Sequence, residues 1–112
     1  AKGDGTVDIK GNSKYVTVAF NHFWDNGKSS MCGMKSETGE NWITYHHNWF
    51  DHSDSRHARV RTMTVHMYNN YYQHCDVYGI GATSGSNIFM ESNYFEAVKR
   101  PIMSSLQLYY LR

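Results

Sequence analysis

The chain has 112 residues, enough for one domain with a modest core. Its 11 basic and 10 acidic residues leave a formal net charge of +1, so no global field draws the molecule to nucleic acid or to a membrane surface. No apolar run reaches the roughly 18 residues of a membrane span, and Cys32 and Cys75 lie too far apart for a zinc-ligand spacing.

The opening stretch, AKGDGTVDIK, lacks signal-peptide character and reads as the interior of a fold. Asp4 and Asp8 stand four apart in it, and Asp8 falls within a strand-like run, TVDIKG (6–11). Period-2 alternation puts both carboxylates on one strand face, a pair suited to a hard cation such as Ca²⁺ that takes oxygen ligands. The next stretch, VTVAFNHF (16–23), superposes without gaps on ITYHHNWF (43–50), VHMYNNYY (65–72) and IFMESNYF (88–95). Each ends in Asn, any residue, then an aromatic: Asn21/Phe23, Asn48/Phe50, Asn70/Tyr72 and Asn93/Phe95. The Asn positions advance by 27, 22 and 23 residues. A β-branched residue precedes each Asn by five places (Val16, Ile43, Val65, Ile88), and the alternation between is that of a strand with one buried face.

Like residues at like places, unit after unit, predict an all-β parallel β-helix of about four to five coils, each strand pairing with its equivalent roughly 4.8 Å away. An Asn at each bend can pass side-chain amide hydrogen bonds to the Asn above and below. The aromatics two places on would form a stacked column inside. A second strand per coil is expected at TVDIKG (6–11), SMCGM (30–34), VYGIGAT (77–83) and PIMSS (101–105). The alternative is an antiparallel sandwich with chance Asn-x-aromatic turns. Scarce hairpin signals count against it: Asn26-Gly27 runs straight into Lys28.

Stacking also predicts which charges meet. Lys28 lies seven residues after Asn21 and Arg56 eight after Asn48, so the two cations should lie side by side in the same post-strand loop of neighbouring coils. A carboxylate pair beside such a cluster makes a face for something anionic. His46 and His47 are expected as surface and ladder residues, whereas His52 and His57 flank the arginines as candidate substrate contacts. Arg100 beside Pro101 is the basic position of the next coil. Cys32 and Cys75 fit either one disulfide or two buried thiols.

Two stretches, DGTVDIKGNSKYVTVAFNHFWDNGK and NWITYHHNWFDHSDSRHARVRTMTVHMYNNYY, resemble the pectate lyases of the extracellular polysaccharide lyase superfamily, and the resemblance runs from about Asp4 to Gln107. It implies a right-handed parallel β-helix and a secreted, monomeric enzyme. The partner would be polygalacturonate (pectate), not nucleic acid or membrane, with Ca²⁺ as cofactor. The family's DGxxDI stretch is matched by Asp4-Gly5 and Asp8-Ile9, which makes Asp4 and Asp8 the metal ligands. Lys28 would bind a substrate carboxylate. Arg56-His57-Ala58-Arg59-Val60-Arg61 matches the RxPRxR motif, with Arg56 as catalytic base and Arg61 and Arg59 as substrate-binding arginines.

The implied reaction is β-elimination. Cations neutralise a uronate carboxylate, a base takes the neighbouring C5 proton, and the C4–O bond breaks to give 4,5-unsaturated oligogalacturonates. Arginine holds its proton tightly, so an alkaline optimum is expected. The chain departs from the motif at Ala58, where the family has proline; without that fixed φ the loop is expected to be looser. SMCGM stands where an aliphatic run is usual, further ligand acids come from an upstream coil, and family members continue past Gln107. Residues 1–107 are therefore expected to be coils of a central fragment, and 108–112 an atypical tail. Trp24, Trp42 and Trp49 suit stacking on sugar rings, although Trp49 shares its place with Tyr71 and Tyr94, which points to mutual packing. The alternatives are a non-catalytic pectin-binding β-helix or an inactive lyase fragment. A polygalacturonase-like hydrolase would need paired aspartates, and only Asp51 and Asp54 lie near the arginines. A pectin lyase acting on neutral ester has no use for Asp8.

Overall fold

The computed structural model describes residues 3–9, 15–33, 41–83, 85–104 and 110–111. Three strands build each coil. The first coil holds β1 (Gly3–Ile9), β2 (Tyr15–Ala19) and β3 (His22–Trp24); the second holds β4 (Asn26–Cys32), β5 (Trp42–His46) and β6 (Trp49–Asp51). The third is β7 (Arg59–Val60), β8 (Thr64–Tyr68) and β9 (Tyr71–Gln73), and the fourth β10 (Ile80–Ala82), β11 (Asn87–Glu91) and β12 (Tyr94–Glu96). β13 (Ile102–Ser104) and β14 (Tyr110–Leu111) begin the next turn.

Every pairing joins a strand to its equivalent one coil away, in parallel, giving a first sheet β1-β4-β7-β10-β13, a second β14-β11-β8-β5-β2 and a third β12-β9-β6-β3. The fold is thus the expected parallel β-helix. The register of the second sheet reproduces the gapless superposition, stacking Val16 on Ile43, Ile43 on Val65 and Val65 on Ile88. The Asn-to-aromatic segment, which the sequence suggests is only a bend, is itself a three-residue strand in each coil and supplies the third sheet. β7 is a further strand that the pattern did not show, because two residues are too few for any periodicity. The boundary expected at Gln107 lies outside the described residues. Beyond it, Tyr110 and Leu111 pair with Asn87 and Ile88 of β11.

The core is a set of columns. Phe23, Phe50, Tyr72 and Phe95 stack ring on ring, with centroids 4.9, 5.0 and 4.7 Å apart along the column. Beside them runs the asparagine ladder. The Nδ2 of Asn21 donates to Oδ1 of Asn48 (3.2 Å), Asn48 to Asn70 (3.0 Å) and Asn70 to Asn93 (3.1 Å). Each ladder amide also donates across to a strand carbonyl, as Asn48 does to Val18 (2.9 Å), so the buried bend leaves few polar groups unpaired. The residue before each ladder Asn is left-handed whatever its type: Phe20, His47, Asn69 and Ser92 have φ of 57, 55, 54 and 55°. A second left-handed column, Asp25, His52, His74 and Ala97, ends the third-sheet strands. The ladder's hydrogen bonds, not the residue's own preference, hold the first column in a region unfavourable to side chains, and in the second the N–H groups of Asp25, His52 and His74 donate to the Asp51, Gln73 and Glu96 carbonyls of the next coil. Cys32 and Cys75 are both free thiols and buried, Cys32 against the Tyr45 hydroxyl (3.2 Å). Burial pushes both thiols up to about 12.

Candidate active site

The second and third sheets repeat coil after coil; the first does not, and the predicted site residues fall on it. β1 pairs with β4 through Asp4↔Lys28, Val7↔Ser30 and Asp8↔Met31, with irregular register on either side of Asp4. From Asp4 to Asp8, β1 spends one residue more than β4 does from Lys28 to Met31, a bulge within the strand. The bulge breaks the strict alternation on which the shared face of Asp4 and Asp8 was argued. Asp8 is exposed, and its Oδ1 accepts the Met31 N–H at 3.1 Å. Asp4 is placed by register opposite Lys28; its side chain lies outside the described part of the structure.

Lys28 is in strand β4, not in a loop, and its side chain is exposed. In the next coil it bridges to Ser55, so Arg56 sits one residue beyond the position directly above it. The difference comes from the connections. One residue, Asp25, separates β3 from β4, whereas residues 52–58 separate β6 from β7. Arg56 therefore belongs to a true loop that is laid along a strand. Its carbonyl accepts from the Ser30 N–H at 2.7 Å, and its Nη1 approaches the Met31 sulfur at 3.9 Å. Its φ is 64°, and among the described residues neither Lys28 nor Ser29, which it lies against, shares this left-handed geometry. Such an unmatched turn costs of order 1 kcal/mol and turns the side chain away from the alternation of its neighbours.

The second half of the motif is strand β7. Arg59 pairs with Met31 on one side and Gly81 on the other, while Val60 pairs with Cys32 and Ala82. Val60 and Ala58 are fully buried in the core, and Arg59 is half-buried on the outer side. Arg61 follows at the corner, its N–H bonded to the Cys32 carbonyl at 2.8 Å. The structure thus brings Lys28, Arg56 and Arg59 onto one sheet across two coils, with Arg61 at that sheet's corner and Asp8 one pairing beyond Met31.

His57 does not face substrate. It is completely buried, with Nδ1 donating to the Gly79 carbonyl at 2.9 Å. That donation makes Nε2 the acceptor, and the Ser53 hydroxyl lies 2.7 Å from it. Ser53 in turn meets the Ser29 hydroxyl at 2.5 Å. The chain Gly79–His57–Ser53–Ser29 therefore ties the residue after Arg56 to the residue after Lys28. Burial pushes the imidazole down to about 4, so it is neutral across the ordinary pH range.

Tyr78 is the other residue that sequence reasoning missed. It was counted among strand residues, yet it precedes β10 and lies outside the core cluster although only 6% exposed. Burial raises its hydroxyl above the usual range, while the nearby charges of Arg56 and Arg59 pull the other way. The available signal was YGIG: a Tyr with glycines one and three places on has room to lie flat on its own strand.

For a divalent cation, the described part of this face offers the exposed Asp8 carboxylate. No group of three His, Cys, Asp or Glu side chains converges among the described residues. Ca²⁺ takes six to eight oxygens, so Asp8 fits as one ligand of a shell that must be completed by other oxygens.

A family profile described as pectate lyase matches residues 1–106. The chain is 38% identical over 102 residues to a pectate trisaccharide-lyase of Bacillus licheniformis, an overlap of 90% of the chain and 30% of that protein. It is 36% identical to pectate lyase C of Dickeya chrysanthemi, covering 90% of the chain and 27% of the relative. With pectate lyase A of Emericella nidulans the identity is 32%, over 91% of the chain and 32% of the relative. The chain thus spans about three-tenths of the length of these relatives.

Proposed function

The chain belongs to the pectate lyase family, and from that membership we propose that it carries the catalytic face of a Ca²⁺-dependent pectate lyase that cleaves polygalacturonate by β-elimination. The observation that supports this reading is the register of the first sheet. Asp4, Lys28 and Ser55 face one another across three coils, and Arg56 follows Ser55 in its left-handed turn. A polyanion laid along the coil axis would meet a cation from each of two successive coils.

In this proposal the Lys28 ammonium pairs with one uronate carboxylate. Arg59 and Arg61 offer guanidinium groups, whose planar donors match carboxylates, to neighbouring units. Asp4 and Asp8 are the residues that would hold Ca²⁺. When bound, the ion supplies charge that offsets the uronate carboxylate and acidifies the adjacent C5 proton. Arg56 acts as the base that takes that proton. The C5–H electron pair becomes the C4–C5 double bond as the C4–O bond breaks, and the departing sugar oxygen takes a proton from solvent. Neutral His57 takes no part in proton transfer; it fixes the backbone from which Arg56 projects. The substrate is a wall polymer, so the protein acts outside the cell, as a monomer.

The test is ultraviolet absorbance of unsaturated product on polygalacturonate. Absorbance should rise with wild-type protein in alkaline buffer, vanish with chelator and vanish in Arg56→Ala. New reducing ends without that absorbance would indicate hydrolysis and overturn the reading. Binding of the polymer without any cleavage would favour a non-catalytic pectin-binding β-helix, which the single described carboxylate at the cation position keeps as the second reading.

A further inference from the structure

We infer that Ser53 is a positioning residue for Arg56: its buried hydroxyl joins the loop that carries Arg56 to Ser29, the neighbour of Lys28, and so sets where the two cations stand relative to each other. The inference rests on the lyase reading of Arg56 and Lys28.

The inner side of the loop is closed by three polar side chains, Ser29, Ser53 and His57, all completely buried. His57 has every polar group in use. Its N–H and its Nδ1 both donate to the Gly79 carbonyl, at 3.0 and 2.9 Å. Its carbonyl accepts from the Tyr72 hydroxyl at 3.0 Å, and its Nε2 accepts from Ser53 at 2.7 Å. Ser53 thereby spends its one hydroxyl proton, and its oxygen remains as an acceptor. The 2.5 Å contact with Ser29 is then donated by Ser29. The relay has a single order, Ser29 to Ser53 to His57 to Gly79, and it runs from the second coil through the third to the fourth. Among the described residues, Ser53 is the one hydrogen-bond partner of the Ser29 hydroxyl.

The backbone also ties the loop to β4: the Ser29 N–H donates to the Ser55 carbonyl at 3.1 Å and the Ser30 N–H to the Arg56 carbonyl at 2.7 Å. Backbone groups are alike at every residue, so these bonds by themselves would tolerate a slip of the loop along the strand. The pair of hydroxyls meets at one register alone. A slip by one residue would carry the Arg56 backbone about 3.3 Å along β4. That matters to a base that must meet one C–H bond, because a misplacement of about 1 Å can lower a rate by about 100-fold. Holding His57 on Gly79 does not require Ser53, since the imidazole makes that bond through its other nitrogen. The Ser53 hydroxyl is therefore assigned to the alignment of Arg56 with Lys28.

The experiment compares wild type, Ser53→Ala, Ser29→Ala and the double variant by steady-state kinetics on polygalacturonate and by residue-resolved amide hydrogen exchange. Rates are read well below the lowest melting temperature, so that a lost rate is not lost folded protein. Ser53→Ala should lower kcat about 10- to 100-fold. Ser29→Ala, which keeps the Ser53–His57 bond, should lower it less. Both break one link, so the double variant should match Ser53→Ala within about twofold. In Ser53→Ala the Ser29 and Ser30 N–H groups should exchange at least about 10-fold faster, with those of Asn48 and Asn70 in the ladder within about twofold of wild type. Unchanged kcat in Ser53→Ala overturns the inference, as do additive losses in the double variant. Equal loss of protection at Ser30 and in the ladder also overturns it, since that would make Ser53 a general core residue. If Ser53→Ala does not fold, Ser29→Ala decides by its kcat and its Ser30 exchange. Should wild type form no unsaturated product, the lyase reading fails on its own, and the exchange comparison still decides whether Ser53 holds the loop on β4.

Discussion

Acidification should weaken this fold through one buried imidazole. His57 ordinarily titrates at 6.5; burial pushes it down to about 4, against the opposing pull of its hydrogen bonds at Gly79, Tyr78 and Ser53 and of the Asp54 charge. A proton on Nε2 would remove the acceptor that Ser53 needs, 2.7 Å away. The folded state therefore resists a proton that the unfolded chain accepts readily. The His57 contribution is complete above pH 6.5 and is lost as pH falls through the interval down to about 4. At about 1.36 kcal/mol per unit, the loss approaches about 3 kcal/mol at the lower end, a large share of the 5–15 kcal/mol typical of a domain.

Urea unfolding of wild type and His57→Asn between about pH 7 and about pH 4 measures it. The variant should be less stable at neutrality and its deficit should shrink steadily on acidification. The exposed pairs His22–Asp51, His52–Asp51 and His66–Glu91 are the same in both proteins and cancel in the comparison. In wild type, the His57 ring resonances should stay constant until about pH 4. A deficit that is the same at both ends of the range, or ring signals that titrate near 6.5, would refute the buried neutral imidazole.

Two further outcomes follow from the core columns. Asn48→Ala removes donations to Val18 and Asn70 and the acceptor for the N–H and Nδ2 of Asn21, and should cost about 3 kcal/mol; a loss below about 1 kcal/mol in chemical denaturation would mean that the ladder is not cooperative. Cys32 and Cys75, with thiols raised to about 12 by burial, should resist alkylation near pH 8 and take up two labels only after denaturation. One rapid label on the native protein would place a thiol at the surface.

The legible parts of the sequence are those that stacking duplicates. Asn21, Asn48, Asn70 and Asn93 bond to one another, so the fold demands the same residue four times and the repeat shows itself. The aromatics two places on are legible for the same reason. The left-handed bends were not, because Phe20, His47, Asn69 and Ser92 share a conformation imposed by the ladder and no common chemistry. Within the site, residue identities came through the resemblance to a family, while their geometry required the register. Counting from the nearest Asn placed Lys28 and Arg56 in like loops, since it could not see that one connection is a single residue and the other seven. Strict alternation was the argument for a shared face of Asp4 and Asp8, and the bulge that removes that argument leaves no mark in a short polar strand. His52 and His57 look equivalent in the sequence, yet one is exposed and the other completely buried. The difference is that His57 neighbours Ala58 and Val60, small and apolar residues that turn inward.

The irregularity of the first sheet has a physical basis in the regularity of the other two. In the second and third sheets, like residues stack on like, and the ladder and ring column fix the axial rise of every coil at the strand spacing, about 4.8 Å. Their register is over-determined. The first sheet is relieved of that task, so its strands can vary from seven residues in β1 and β4 to two in β7 without loss of the coil. A bulge, an unmatched left-handed turn and a glycine overlain by a tyrosine all occur there, each an expense that a self-supporting sheet would not tolerate. Because the rise is set elsewhere, Lys28, Arg56 and Tyr78 come from three successive turns of the chain and still arrive in a defined order along one axis. An anionic polymer is ordered along an axis too. A substitution that loosens the ladder should therefore disturb the spacing of the cations before it unfolds the protein, and Asn48→Ala, which lies on the coil that leads into Arg56, is the variant in which binding and stability would be lost at different temperatures.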